Sequence, residues 1–384
     1  MELTKCKLGE LITQRREKND GSNLPICGVS KDGLIPPKQI DADTSIYNVF
    51  YRDDFIFNPA RMELNSIAIN DMYDRAICSS LYEVFYVHRT DLLLPHYLKL
   101  IIRQKWFTRY CEFLGQGSAR EYCRFGNISE IEIEFPPIKE QQKIVDYNTA
   151  IENRIALKQK INDNLVAVGT ASIQKNVGRG ALINLTEAEM DSLTFPEDFK
   201  VKTVSEFCAE TKSGSTPSRI NNEYWENGTI SWVKSGEVHN NITLQTEEYI
   251  TPLGLTESST KLLPKDTVLM AMYGVTAGEV GYLAIEATTN QAICGMICRS
   301  KAEAAYLYFS LIQSQAKISR LSNGGAQDNL SKNFIDNIKI AVPPSEFIEK
   351  LNLAAIVEQM TLNTKEITLL EELQATVLAQ LSSH

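Results

Sequence analysis

The sequence predicts a mixed α/β (α+β) fold in which two similar domains are separated by two long, antiparallel, coiled-coil-like helices. The first observation is an internal repeat, since residues 127–137 and 334–344 share alternating isoleucines that run into a double proline. This alternation is the period-two pattern of a half-buried strand. The second observation is that the apolar spacing changes to roughly heptad intervals after each double proline. The chain therefore repeats one plan twice.

Shorter segments upstream follow the same order in both halves. Residues 97–104 and 306–313 have helical apolar spacing, and residues 115–120 and 324–331 are polar loops that contain glycine. Each half thus has a helix, a glycine loop, a strand, a double proline and a long helix.

The long helices are predicted over residues 140–174 and 346–381, which at 1.5 Å per residue gives rods of about 52 and 54 Å. Each has only a narrow apolar stripe, so pairing with the other is the economical way to bury it. The predicted segments are a first domain at 1–137, a central helix at 138–180, a linker at 181–203, a second domain at 204–344 and a C-terminal helix at 345–384.

The composition is that of a globular protein without a membrane span. Basic side chains number 39 and acidic ones 48, a net charge of −9, and 43% of residues are hydrophobic. The most apolar stretch, residues 92–102, contains a proline, a histidine and a lysine and is too short to span a bilayer. Residues 1–11 lack the apolar core of a signal peptide, so a cytoplasmic protein is expected.

Motifs for catalysis, cofactors and metals are weak in this sequence. The eight cysteines form no C-x-x-C pair and the four histidines are scattered, which disfavours a zinc site. Residues 115–117 lack the third glycine of a dinucleotide fingerprint, and residues 324–325 lack the lysine of a P-loop. We therefore expect no catalytic, cofactor-binding or metal-binding residues.

Polar loops at matching places in both halves suit contacts with nucleic acid. Residues 212–219 and 230–237 combine hydroxyls, cations and aromatic rings, which fit phosphates and base edges. The alternative for this segment is a solvated hairpin loop with Trp232 in the core. The candidate DNA-binding residues are Arg15, Arg16, Lys18, Arg52, Asn58, Arg61, Arg75, Ser118, Arg120 and Arg124 in the first half, and Lys212, Ser213, Ser215, Thr216, Ser218, Arg219, Trp232, Lys234, Ser235, Gln327 and Asn329 in the second.

Several of these segments resemble the specificity subunit of type I restriction-modification enzymes. Residues 136–145 and the helix after them resemble its central region, residues 214–232 resemble the start of a target recognition domain, and residues 324–331 resemble its G-x-x-Q-x-N-L-S loop. The second long helix departs from the pattern because it begins without Glu-Gln-Gln. The first glycine loop departs as well, with Ser118-Ala-Arg120 where the second has Ala326-Gln-Asp328.

The resemblance implies a scaffold that reads DNA and makes no bonds. Each domain would read one half of an asymmetric bipartite target in the major groove of double-stranded DNA. Two methyltransferase subunits would bind the scaffold and supply S-adenosylmethionine, and motor and nuclease subunits would add cleavage that uses ATP and Mg²⁺. No cofactor is expected on this chain itself.

The head of the central helix is the expected subunit contact. The resemblance and the polar cluster after Pro137 assign Glu140, Gln141 and Gln142 to that role. The alternative is helix-start chemistry, in which Glu140 interacts with the positive end of the helix dipole.

Two other classes of function remain open at this point: an enzyme with an unrecognised site, and a coiled-coil assembly adaptor that reads no DNA. Binding of S-adenosylmethionine by the isolated chain would favour the enzyme. The acidic C-terminal segment 345–384, with two basic and six acidic side chains (2 − 6 = −4), suits a protein partner better than DNA.

Overall fold

The computed structural model describes residues 3–31, 33–40, 43–116, 123–183, 196–239, 242–322 and 329–381. The chain divides into two compact units, one formed by residues 1–154 with 370–384 and the other by residues 155–369. Each unit combines sheets with helices, as the sequence predicts.

The described residues of the first unit form three sheets. Its strands are β1 (Thr4–Lys7), β2 (Ile12–Arg15), β3 (Ile26–Ser30), β4 (Gly33–Ile35), β5 (Asn48–Tyr51), β6 (Phe55–Phe57), β7 (Ile67–Ile69), β8 (Arg75–Cys78), β9 (Glu83–Val87) and β10 (Glu132–Phe135). Its helices are α1 (Pro95–Ile102), α2 (Lys105–Gln116), α3 (Phe125–Ser129) and the start of α4 (Ile138–Asn176). The sheet orders are β2-β9-β6-β7, β4-β3-β8-β5 and β1-β10.

The second unit repeats this arrangement. Its strands are β11 (Ala181–Leu182), β12 (Lys200–Thr203), β13 (Glu210–Ser213), β14 (Ile230–Val233), β15 (Ile242–Thr243), β16 (Glu248–Ile250), β17 (Thr267–Ala271), β18 (Val280–Leu283), β19 (Thr288–Thr289), β20 (Ile293–Ile297) and β21 (Lys339–Val342). Its helices are α5 (Val204–Phe207), α6 (Pro252–Thr256), α7 (Lys301–Ser322), α8 (Lys332–Asp336), α9 (Ser345–Lys350) and most of α10 (Leu353–Leu381). The sheet orders are β13-β20-β17-β18-β15, β16-β14-β19 and β11-β21-β12.

The duplication extends into the sheets, beyond the segments in which the sequence shows it. The order β2-β9-β6-β7 in the first unit corresponds to β13-β20-β17-β18 in the second. The strand pairs also agree in direction, because β3 pairs antiparallel with β4 and parallel with β8, as β14 does with β16 and β19. In both units the strand before the double proline pairs antiparallel with a strand near the start of the unit.

Each double proline separates a strand from a helix, as predicted. In β10 buried apolar side chains alternate with exposed glutamates, and α4 begins directly after Pro136–Pro137. β21 ends before Pro343–Pro344, and α9 follows. Proline has no backbone N–H for a sheet ladder but is tolerated at a helix start, so the motif ends one element and starts the next.

Two predicted boundaries differ from the structure. The predicted C-terminal helix is interrupted between α9 and α10, where Asn352 has a φ of 52°. Asparagine adopts this left-handed conformation more readily than most residues, so it can end one helix and allow another to begin. The predicted linker 181–203 contains β11 and β12, both of which pair with β21, so Ala181–Leu182 and Lys200–Thr203 belong to the sheet of the second unit.

The long helices α4 and α10 pack side by side in opposite directions. Within residues 155–369, Lys158 Nζ donates to Asn363 Oδ1 (3.0 Å) and pairs with Glu366 (2.7 Å), while Asn363 donates to Asn162 Oδ1 (2.9 Å). Residue numbers rise along α4 as they fall along α10, which confirms the predicted antiparallel pairing. Because Asn363 is buried, its hydrogen bond to Asn162 favours this register over its neighbours.

Part of the apolar stripe predicted to lie between the helices is instead exposed. Leu362, Leu369 and Leu373 on α10 are 55%, 61% and 50% exposed, and Val168 on α4 is 55% exposed. The expectation that intramolecular pairing buries the whole stripe is therefore wrong for these four positions.

Candidate nucleic-acid interface

The loop after β13 is held close to the neighbouring strand β19. Ser215 N donates to Thr289 O (2.9 Å), and the carbonyl of Ser215 accepts from Trp232 Nε1 (3.1 Å) and Thr260 Oγ1 (3.2 Å). Gly214 allows this approach, because a Cβ atom there would lie 2.1 Å from Thr289 Oγ1. The polar loop therefore starts from a fixed position.

Arg219 lies on an aromatic platform beyond this loop. Its guanidinium carbon is 3.5 Å from the ring centroid of Trp225 and 4.9 Å from that of Trp232, and the two indoles meet edge to face at 5.0 Å. Trp225 Nε1 donates to Ser218 O (3.1 Å), which fixes the platform to the loop that it supports. A stacked guanidinium loses little further freedom when it binds a flat or bidentate partner.

Two carboxylates complete this site, which we call the Arg219 cluster: Arg219, Trp225, Trp232, Lys234, Glu247 and Glu248. Arg219 Nη1 lies 2.5 Å from Glu248 Oε2, and Lys234 Nζ lies 2.5 Å from Glu247 Oε2 and 3.3 Å from Glu248 Oε1. The hydrogen bond from Arg219 is the main reason that the pKa of Glu248 is lowered. Glu248 is therefore ionised at neutral pH, where its two oxygens face both cations.

Arg15 has a structural role in the first unit. Its Nε and Nη2 donate to the two carboxylate oxygens of Asp54 (2.6 and 3.1 Å), and its guanidinium lies between the rings of Tyr51 and Tyr86 (4.7 and 4.6 Å). Asp54 is 2% exposed, and burial raises its pKa despite these hydrogen bonds. Arg15 therefore compensates a buried charge, and its assignment to DNA contact stays a prediction.

Among the described residues, four of the other predicted cations have carboxylate partners as well. These pairs are Arg52 with Asp74 (2.9 Å), Arg75 with Asp20 (3.4 Å) and Glu17 (3.6 Å), Arg124 with Glu83 (3.1 Å) and Lys212 with Glu210 (2.9 Å). The exposed Arg16 donates to Gln14 Oε1 (2.9 Å), and Lys18 donates to Asn48 Oδ1 (2.7 Å). The predicted basic set is therefore largely neutralised within the chain.

Arg61 and Asn58 line an open groove of about 470 Å³ in the first unit. Lys38 and Tyr82 also line it, and Asn58 caps the short 3-10 helix that carries Arg61, through a hydrogen bond from Ala60 N to its Oδ1 (3.1 Å). The structure thus brings these two predicted residues to one concave surface.

The remaining predicted residues of the second half are distributed around its loops. Thr216 Oγ1 donates to Gln291 Oε1 (2.6 Å), Ser213 ends β13, Ser235 begins a short 3-10 helix, and Asn329 is exposed. Ser118, Arg120 and Gln327 lie outside the described residues.

Two residues predicted to contact DNA or a partner subunit are buried, so these predicted roles are wrong. Trp232 is 3% exposed and forms the floor beneath Arg219, which matches the core alternative for this residue. Gln141 is 0% exposed: its Oε1 accepts from Leu94 N (2.9 Å), and its Nε2 donates to Leu92 O (2.7 Å) and Pro136 O (2.8 Å). A side chain enclosed in this way cannot contact a partner subunit.

The other two residues of the predicted subunit contact are bonded within α4. Glu140 accepts from Lys143 Nζ (2.8 Å), and the exposed Gln142 donates to Asp146 Oδ1 (2.7 Å). Both lie in the first turns of the helix, where helix-start chemistry is the alternative function.

The sequence prediction missed Trp225, Glu247 and Glu248 as members of the site. The aromatic pair Tyr224-Trp225 was a visible signal for the first. Glu248 enters the cluster because β16 pairs with β14 so that it lies opposite Trp232. No local sequence pattern predicts the pairing of β14 with β16.

The described ranges show no membrane or metal feature. None of the helices within them is long and apolar enough to cross a membrane. Across the same ranges, His, Cys, Asp and Glu side chains form no group of three or more that could hold a metal ion.

Comparison with known proteins identifies the family. The model of the type I restriction modification DNA specificity domain matches the chain twice, at residues 10–167 and 196–375. The chain belongs to this family. The two matches correspond to the two halves of the duplicated fold, which confirms the resemblance found in the sequence.

Individual relatives are distant. The type I restriction enzyme EcoR124I/EcoR124II specificity subunit of Escherichia coli is 26% identical over 200 residues, which is 51% of this chain and 46% of that protein. The chain thus matches about half the length of that relative. The HindI specificity subunit of Haemophilus influenzae is 22% identical over 357 residues, covering 76% of this chain and 77% of the relative.

A solved structure shares the fold of this chain. The crystal structure of a type I restriction-modification system S subunit from M. genitalium aligns with a TM-score of 0.57 at 15% identity and covers 99% of this chain and 96% of its own. Both therefore have the same architecture of two mixed domains and long helices.

Proposed function

We propose that this chain is the non-catalytic specificity subunit of a type I restriction-modification system and that each of its two domains reads one half of a bipartite sequence in double-stranded DNA. The observation that carries the proposal is the double match to the DNA specificity domain, one in each half of a duplicated fold. A duplicated reader suits a target with two separate parts.

The Arg219 cluster supports DNA reading by the second domain. Arginine binds the O6 and N7 acceptors of guanine through two hydrogen bonds, a contact worth about 1–3 kcal/mol of discrimination. Arg219 is half exposed and stacked on Trp225, so its planar donor edge is positioned before DNA arrives. In the first domain, Arg61 and Lys38 at the groove are the cations placed for phosphate or base contacts.

The exposed side chains of the long helices support assembly with protein partners. Leu362, Leu369 and Leu373 form an i, i+7, i+11 series on α10, the spacing of one helix face, and each is at least half exposed. Two methyltransferase subunits are the proposed partners, with motor and nuclease subunits joining them. S-adenosylmethionine, ATP and Mg²⁺ then bind to those partners, and this chain determines which DNA sequence the complex recognises.

Methyl transfer tests the proposal directly. The purified chain is incubated with labelled S-adenosylmethionine and DNA, alone and with a methyltransferase subunit of a type I restriction-modification system. We expect transfer only in the mixture, because the chain supplies recognition and the partner supplies chemistry. Transfer by the chain alone would make it an enzyme and overturn the proposal.

A further inference from the structure

Two carboxylates of the second domain lie against the cations that we propose contact DNA. Glu248 bridges Arg219 and Lys234, and Glu247 binds Lys234 from the neighbouring position. The two cations and two carboxylates cancel in charge. Like a phosphate, a carboxylate accepts charge-assisted hydrogen bonds from arginine and lysine.

The arrangement is held by the backbone as well as by charge. Glu237 uses one carboxylate oxygen to accept from Lys234 N (2.7 Å) and the other to accept from Glu247 N (2.9 Å), which ties the two segments together. Glu248 lies opposite Trp232 in the β14–β16 ladder, so its position relative to the platform is set by strand register. The carboxylates are thus held next to the cations by contacts other than their own ion pairs.

The ion pairs are also accessible to competitors. The side chains of Arg219 and Glu248 are 50% and 31% exposed, and those of Lys234 and Glu247 are 32% and 72% exposed. Exposed pairs of this kind contribute little stability, so an incoming ligand can replace them. A duplex of arbitrary sequence offers only its phosphates in exchange, whereas a target sequence adds base contacts.

We propose that Glu247 and Glu248 act as internal competitors for Arg219 and Lys234 and thereby reduce binding to DNA of arbitrary sequence. This inference rests on the proposed DNA-reading function and adds to it a residue-level source of specificity. The two glutamates are positioning residues, since they act through the cations that they hold. DNA bearing the correct half-site displaces them because base contacts offset the lost ion pairs.

The test measures binding of the full chain to a short duplex of mixed sequence between about 50 and 200 mM salt, by fluorescence anisotropy. Wild type is compared with the double variant Glu247→Gln/Glu248→Gln and with a control that removes two exposed charges elsewhere in the same unit, Glu197→Gln/Glu286→Gln. Glutamine keeps the size of glutamate but carries no charge, and an NH2 donor replaces one of the two acceptor oxygens, so it cannot neutralise a cation. Circular dichroism confirms that each variant is folded.

We expect the cluster variant to bind the mixed-sequence duplex about 3- to 30-fold more tightly than wild type. The slope of log K against log salt steepens by up to about 1.8, or 0.9 for each freed cation. The control changes both quantities much less. Adding Arg219→Ala to the cluster variant removes about half of the gain in slope, because Lys234 remains freed.

Equal gains in the cluster variant and the control would reduce the effect to net charge and overturn the inference. Unchanged affinity in the cluster variant, with wild type binding DNA normally, would also overturn it and leave the proposed function intact. Absence of DNA binding by every variant, and also by the chain assembled with its methyltransferase, would refute the proposed function and the inference together.

Discussion

Replacement of Gln141 by alanine should destabilise the first unit, although sequence analysis assigns this residue to a subunit contact. The amide of Gln141 makes three hydrogen bonds to the backbone at Leu92, Leu94 and Pro136, and the side chain is fully buried. Each bond contributes about 0.5–1.5 kcal/mol, and the unpaired groups left behind carry a further penalty. Together these give a loss of about 2–4 kcal/mol.

Hydrogen exchange at single amides measures this loss locally. Leu94 N donates directly to Gln141 Oε1, so its protection should fall roughly 30- to 700-fold if the opening free energy drops by that amount. Gln142→Ala is the matched control, because Gln142 is exposed and its replacement should change the free energy of unfolding by no more than about 0.5 kcal/mol. Equal protection of Leu94 in both variants, with loss of methyltransferase binding only in Gln141→Ala, would refute the structural role and restore the interface assignment.

Two further predictions concern the long helices. Gly169→Ala should destabilise the second unit by about 1–3 kcal/mol in a denaturant titration, because the new Cβ would lie 2.3 Å from the buried ring of Phe309. The control Gly126→Ala places its Cβ in open space and should be neutral or stabilising. A Gly169→Ala variant that is more stable than wild type would contradict this packing. Inserting four residues after Leu157 in α4 and four after Glu366 in α10 adds about one turn to each helix in register. Methylome sequencing should then show a longer unspecified spacer with both half-site sequences retained, and an unchanged spacer would mean that the helices serve only to hold partners.

The sequence predicts the elements that carry strong local periodicity. The alternating isoleucines before each double proline and the heptad spacing after it become β10, β21 and the long helices. These signals are local, so one segment reveals them without its partners. The pairing of β12 with β21 is missed because Lys200–Thr203 is short, with no buried side chain to give it a pattern.

The candidate site is less predictable because its chemistry depends on contacts between distant residues. The residues next to Gln141 in the sequence do not show that its side chain will bond to Leu92 and Leu94. In the same way, the residues next to Arg15 do not show that it will pair with the buried Asp54. The same holds for Arg219, whose partner Glu248 arrives through strand pairing. Residue type indicates which side chains could contact DNA, but only the fold shows which of them already have a partner.

The central claim is that two independent domains each read one half of a DNA target, and exchange of one domain tests it most directly. Residues 200–344, which include β12 and β21, are replaced with the equivalent unit of another family member, and the hybrid is expressed with its methyltransferase partner. Methylome sequencing should show a motif in which one half is changed and the other half is retained. Change in both halves, or in neither, would contradict independent reading by the two domains.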